Sequence, residues 1–173
     1  MTIRKAVETD IDFVSQIYEK IHTSEEKGDI VIGWQRGVYP ERNVAEEALK
    51  RDDLFVMEDE GYIVGTGIIN QIQVDDYVKG KWKYPAEPSE VMVLHTLIID
   101  PDVKGKGLGR QFIKFYEDYA KQAGCKYLRI DTNEKNVSAR SFYKSLGYEE
   151  IGCTPCVFNG IEGVNLILIE KAL

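Results

Sequence analysis

Val91-Met92-Val93-Leu94-His95-Thr96-Leu97-Ile98-Ile99-Asp100-Pro101-Asp102-Val103-Lys104-Gly105-Lys106-Gly107-Leu108-Gly109-Arg110 is the stretch on which the fold turns. Residues 91–99 are almost continuously apolar and branched, as in a strand buried on both faces. Asp100-Pro101 ends that strand, and a turn rich in glycine follows. Phe112, Ile113, Phe115, Tyr116, Tyr119 and Ala120 then recur at helical spacing until Gly124 stops them. Glycines let a backbone turn tightly and approach a ligand without side-chain interference. A helix begins with unpaired N–H groups and the positive end of its dipole. Strand, glycine turn and helix together predict a phosphate or pyrophosphate site, to which Lys104, Lys106 and Arg110 add charge. A Walker A loop requires GxxxxGK[ST], but Gly109 is followed by Arg110-Gln111. A dinucleotide fingerprint requires GxGxxG, and this run is GxGxG and opens no first βαβ unit. The plain alternative is an ordinary strand-to-helix turn, disfavoured by three alternating glycines among three basic residues.

Outward from this unit the chain alternates between periods of two and of three to four. Ile3–Ala6 reads as a short strand, and Thr9 as the cap of a helix through Ile11, Val14, Ile17, Tyr18 and Ile21. That helix fades at Glu25-Glu26-Lys27-Gly28, and a short helix fits Val44–Lys50. Leu54–Met57 and Tyr62–Ile72 read as strands joined at Asp59-Glu60-Gly61, with Gly65 and Gly67 pointing to a bulge. The polar stretch Asp75–Pro88 reads as a loop. Tyr127–Asp131 is another strand, Asn136–Ser145 a short helix closed by Gly147, and Glu150–Phe158 and Val164–Lys171 two strands around Asn159-Gly160. The expected order is βααβββαβαββ in one domain over residues 1–173. The class is α/β (α+β), with a mixed, mostly antiparallel sheet of about seven strands flanked by about four helices.

Leu94 to Gly109 resembles the central motif of the GNAT superfamily, the acyl-coenzyme A-dependent N-acyltransferases. That motif is a hydrophobic strand ending near a proline, then [QR]xxGxG or [QR]xxGxA; Lys104 stands at the Gln/Arg position, and Gly107 and Gly109 match. Asn136, Ala139, Phe142, Tyr143 and Leu146-Gly147-Tyr148 follow as the second motif. The resemblance implies a cleft between two splayed strands, Val91–Ile99 and Tyr127–Asp131, that takes acetyl-CoA. It implies that the backbone of Leu97, Ile98 and Ile99 pairs with the pantetheine arm. It further implies that Lys104, Gly105, Lys106, Gly107, Leu108, Gly109 and Arg110 hold the pyrophosphate, and that Asn136 bonds the pantetheine arm. Tyr143 takes the family's thiolate-protonating position; the simpler reading is a core aromatic beside Phe142. A backbone N–H of Ile98 or Ile99 is a candidate to polarise the thioester carbonyl. The base is expected to be His95, whose imidazole has an ordinary pKa suited to an ammonium proton, with Glu90 second and a water chain third. A histidine satisfied by hydrogen bonds in the core is the alternative for His95.

The acceptor site of such a protein is expected from residues 33–40, 75–88 and 155–163. Trp34 and Tyr39 are the favoured lining residues among Arg36, Tyr77, Trp82, Tyr84 and Phe158. The alternative is that these aromatics fold irregular loops onto the core. The resulting expectation is an N-acetyltransferase using acetyl-CoA on a primary amine of a small molecule, as a possible homodimer. A non-catalytic CoA-binding module and a protein-amine acetyltransferase are the competing readings. A net charge of −7 argues against nucleic acid as a general partner. No apolar run suits a signal peptide or membrane span, so a cytoplasmic, membrane-free location is expected. Cys153-Thr154-Pro155-Cys156 has CxxC spacing without further nearby ligands, so no metal is expected and a structural thiol pair is favoured over a redox pair.

Overall fold

The computed structural model describes residues 1–103 and 107–173. The elements are β1 (Thr2–Lys5), α1 (Ile11–Glu26), α2 (Arg42–Lys50), β2 (Leu54–Asp59), β3 (Tyr62–Asn70), β4 (Val91–Ile99), α3 (Leu108–Gln122), β5 (Tyr127–Asn133), α4 (Val137–Ser145), β6 (Glu149–Phe158) and β7 (Ile161–Ala172). The order is the expected one. The strands form one sheet in the order β1-β2-β3-β4-β5-β7-β6. Among the described residues only β4 and β5 run parallel; the other neighbours are antiparallel.

Alternation along the strands divides the apolar side chains between two faces. On one face Met57, Ile69, Met92, Leu94, Leu128, Ile130 and Ile169 meet Phe112, Ile113 and Tyr116 of α3 and Tyr143 of α4. Phe112 and Tyr116 are fully buried, each contributing about 1.5–3 kcal/mol by leaving water. On the other face α1 and α2 cover Leu54, Val56, Ile68 and Ile98. Further along that face, Tyr77 and Trp82 cover Val91, Val93, Leu166 and Leu168.

Some local expectations change. Asp10, not Thr9, organises the start of α1: its carboxylate accepts the Val7 N–H at 2.8 Å and pairs with Arg4 at 2.7 Å. The Asp75–Pro88 stretch carries a turn of 3₁₀ helix over Asp75–Lys79. The last hairpin turns through Asn159 and Gly160 with φ of 50° and 79°, as the Asn-Gly pair dictates. Cys153 and Cys156 are not a thiol pair: both are free and lie in β6. Three residues apart on an extended strand, they point to opposite faces with about 10 Å between them.

Candidate functional site

The site begins where β4 and β5 stop pairing. Their register runs from Val91 with Tyr127 to Leu94 with Ile130 and goes no further. Beyond that fork β4 continues to Ile99, paired only with β3, while β5 continues to Asn133 paired with β7. A bulge in β4 accompanies the fork: Ile68 faces His95 whereas Thr66 faces Ile98, so β4 holds one residue more than β3. Thr96 takes the extra position with φ of 50°, a left-handed conformation that a branched residue adopts only under constraint. The Tyr39 hydroxyl supplies part of that constraint by a short hydrogen bond to Thr96 Oγ1. Opposite the bulge sits Gly67, where an added Cβ would lie 2.9 Å from the Phe112 ring.

The fork opens into two adjoining spaces with shared walls. The first is an open cleft of about 710 Å³ between the end of β4, the start of α3, α4 and the segment after α1. Leu97, Ile98, Ile99, Gly109, Asn136 and Tyr143 line it, half of the residues expected to hold the CoA moiety; Gly107, Leu108 and Arg110 are not among its lining residues. Gly107 precedes α3 with φ of 64°, a conformation that favours glycine. Leu108 is buried, and Arg110 donates to Ser145 Oγ at 2.9 Å, tying α3 to α4. At Gly109 an added Cβ would stand 3.2 Å from the Phe142 ring. Lys104, Gly105 and Lys106 lie outside the described residues. Asn136 caps α4, its Oδ1 accepting the Ala139 N–H at 3.0 Å.

The second space is a more enclosed pocket of about 140 Å³ that includes Trp34, Tyr39, His95, Asp131 and Phe158 in its walls. Ile32, Leu97, Asn136, Ala139 and Tyr143 line both spaces and so mark the boundary. Burial in this wall raises the Tyr143 hydroxyl well above the ordinary tyrosine range, assisted by the charge of Asp131. Tyr143 therefore keeps its hydroxyl proton at neutral pH.

Glu25 fixes the loop that carries Trp34. Its carboxylate accepts the N–H groups of Ile32, Gly33 and Trp34 at 3.0, 2.6 and 3.3 Å. Arg36 turns outward to Glu19 and Glu26. Tyr77, Trp82 and Tyr84 pack on the sheet instead of lining the pocket: Tyr77 and Trp82 are 5.0 Å apart, Trp82 lies 3.9 Å from the Arg129 guanidinium, and Tyr84 stacks on Tyr127.

His95 and Glu90 have separate surroundings. His95 is the first residue of β4 past the fork, and its Nε2 lies 3.1 Å from Asn70 Oδ1. The Asn70 amide nitrogen donates to Asp53 at 2.8 Å, and Asp53 is held by Arg51 at 2.9 Å. Because Asn70 Oδ1 also accepts the Ile72 N–H at 2.9 Å, it is an acceptor and His95 Nε2 carries the hydrogen, leaving Nδ1 basic. Burial pushes the imidazole down to about 4, instead of the near-neutral value expected from sequence. Glu90 stands at the other, closed end of β4 and pairs with Lys126 at 2.6 Å. That lysine holds the Glu90 carboxyl below its usual range, and Glu90 lines neither space.

Asp131 was not expected as a site residue. It is the first residue of β5 past the fork, as His95 is of β4, and both face away from Leu94 and Ile130. Its Oδ2 accepts the Tyr77 hydroxyl at 2.8 Å, and burial raises its carboxyl to about 6. Alternation in Leu128-Arg129-Ile130-Asp131 gave the signal, but only the parallel register with β4 shows that Asp131 faces the same pocket.

Among the described residues no group of three or more His, Cys, Asp or Glu could hold a metal, and no helix is long and apolar enough to cross a membrane.

Comparison with known proteins agrees with this architecture. An N-acetyltransferase of Methanocaldococcus jannaschii, itself uncharacterised, is 29% identical over 155 residues, covering 86% of this chain and 61% of the relative. The chain thus spans about three fifths of that relative's length. The GNAT-family acetyltransferase of Streptococcus agalactiae superposes with a TM-score of 0.84 at 22% identity, over 99% of this chain and 95% of the other. The yncA protein of Salmonella typhimurium, solved with its cofactor acetyl-CoA, gives a TM-score of 0.71 at 18% identity over 100% and 94% of the two chains. The model of the acetyltransferase (GNAT) family matches residues 14–148, and the chain belongs to that family.

Proposed function

We propose that this protein transfers the acetyl group of acetyl-CoA to a primary amine of a small molecule, by direct attack in a ternary complex. The observation that carries the reading is the β4–β5 fork, with Tyr143 on the boundary between an open cleft and an enclosed pocket. The unpaired edge of β4 over Leu97–Ile99 offers backbone groups to an extended, amide-bearing arm, as an added strand would. The start of α3 offers N–H groups to a diphosphate. When bound, acetyl-CoA supplies an activated acyl carbon.

In this reading an N–H of Ile98 or Ile99 polarises the carbonyl, and Tyr143 gives its proton to the departing sulfur as the C–S bond breaks. The amine's surplus proton leaves to the pocket, where His95 Nδ1 and the Asp131 carboxylate are both unprotonated at neutral pH. Trp34, Tyr39 and Phe158 wall the small pocket, which suits a small acceptor better than a polypeptide. The test is calorimetric titration with acetyl-CoA followed by free-thiol release across a panel of small amines. Amine-dependent release supports the proposal. Binding without turnover would favour a non-catalytic CoA module, and absence of binding would overturn the reading altogether.

A further inference from the structure

The enclosed pocket has a one-sided charge. Among the described residues that line it, Asp131 is the only side chain with a formal charge at neutral pH, and none is a lysine or arginine. Asp131 forms no ion pair with a described cation. The Tyr77 hydroxyl donates to its Oδ2 and fixes the carboxylate's orientation. A neutral asparagine would accept that hydroxyl equally well, at lower desolvation cost. The charge itself is therefore not required for packing, and a cation is the group that would offset it. Trp34, Tyr39 and Phe158 complete the walls with aromatic surface, which also favours a cation.

We infer that the acceptor is a cationic amine with no carboxylate on its amine-bearing carbon, bound as the ammonium by Asp131 within the aromatic walls of this pocket. This rests on the acetyltransferase reading and narrows it to a substrate class. The carboxylate of an α-amino acid would enter a pocket with no cation to receive it, beside a fixed carboxylate, and such like-charge placement strongly disfavours binding. After docking, one ammonium proton passes to an unprotonated group of the pocket, His95 Nδ1 or the Asp131 carboxylate, the freed nitrogen lone pair attacks the acyl carbon, and the C–S bond breaks as Tyr143 protonates the departing thiolate.

The experiment measures kcat/KM by thiol release for matched pairs: propylamine against 2-aminobutyrate, and 2-phenylethylamine against phenylalanine. Phenylalaninamide serves as a control that keeps the bulk and removes the charge. The expected result is a preference of about 100-fold or more for each amine over its amino acid, with the amide behaving like the amine. Asp131→Asn should compress that preference to less than about tenfold, with acetyl-CoA affinity and folded-state circular dichroism retained to show that the variant is intact. Equal or better turnover of the amino acids overturns the inference while leaving the transferase reading standing. So does a preference that Asp131→Asn leaves unchanged. Acetyl-CoA binding without turnover of any amine overturns both.

Discussion

The carboxylate of Asp131 should make the folded protein less stable at neutral pH than it needs to be, and the size of that cost can be worked out. Burial raises its carboxyl from an ordinary 3.8 to about 6. Between those two values the folded state binds a proton that the unfolded state has released. Stability therefore falls as pH rises through this window, and the cost is fully present above it. The displacement corresponds to about 3 kcal/mol at pH 7.5. Asp131→Asn removes the ionisation and keeps an acceptor for the Tyr77 hydroxyl, so the variant should be more stable by about 2–3 kcal/mol at pH 7.5. With a urea slope near 2 kcal/mol/M, the midpoint should rise by roughly 1–1.5 M. At about pH 4 the Asp131 carboxyl is protonated in the fold, and most of the gain should vanish. Urea denaturation of both proteins, followed by circular dichroism at several pH values, reads this directly. A variant no more stable than the parent at pH 7.5, or a gain that does not change with pH, would refute the account of Asp131 as a charge held unpaired.

Four further outcomes follow from the same geometry. Tyr143→Phe should lower kcat by roughly 10–100-fold in amine-dependent thiol release while leaving acetyl-CoA affinity by calorimetry within about twofold, since it removes a proton donor and little else. His95→Ala should lower kcat/KM by one factor across about pH 6–8, because an imidazole near 4 is neutral throughout that range; a ratio that changes with an apparent pKa near 6.5 would mean that the ring is not desolvated. Gly67→Ala should cost about 1–3 kcal/mol in urea denaturation, because its Cβ would meet the fully buried Phe112 ring at 2.9 Å. Glu90→Gln should keep kcat/KM within about twofold, since Glu90 is paired with Lys126 at the closed end of β4 and loss of a surface pair has small effects.

The parts legible in sequence were those fixed by local periodicity. The apolar run of β4, the helical spacing in α3 and the Asn159-Gly160 turn each specify an element without knowledge of its partners. The grouping of Leu97, Ile98, Ile99, Gly109, Asn136 and Tyr143 is what the resemblance to the GNAT motifs implies, and those residues share one cleft. What sequence missed depends on which strands are neighbours and where they part. Asp131 looks like the polar end of a strand until β5 is set parallel to β4, where it becomes the counterpart of His95. Glu90 is close to His95 in sequence, yet five residues of strand carry it to the opposite end of the fork. The Cys153–Cys156 spacing suggests proximity only in a turn or helix; on the extended β6 it separates the thiols.

The fork also explains why fold and ligand are difficult to separate in this protein. A strand inside a sheet normally pairs along both edges, and unpaired backbone groups away from water are costly. From His95 to Ile99, β4 keeps its pairing with β3 and gives up its pairing with β5. Several devices hold this arrangement open: the left-handed Thr96, the Tyr39 hydroxyl on its side chain, Glu25 gathering the next loop's N–H groups, and Gly67 admitting the Phe112 ring. None of these contacts would be needed by a sheet that simply zipped closed. They keep backbone donors and acceptors exposed in a cleft whose natural complement is a chain with amides of its own. The same parting of strands puts both His95 and Asp131 in the wall of the enclosed pocket, so the feature that leaves the sheet incomplete also opens the space in which the proposed chemistry would take place.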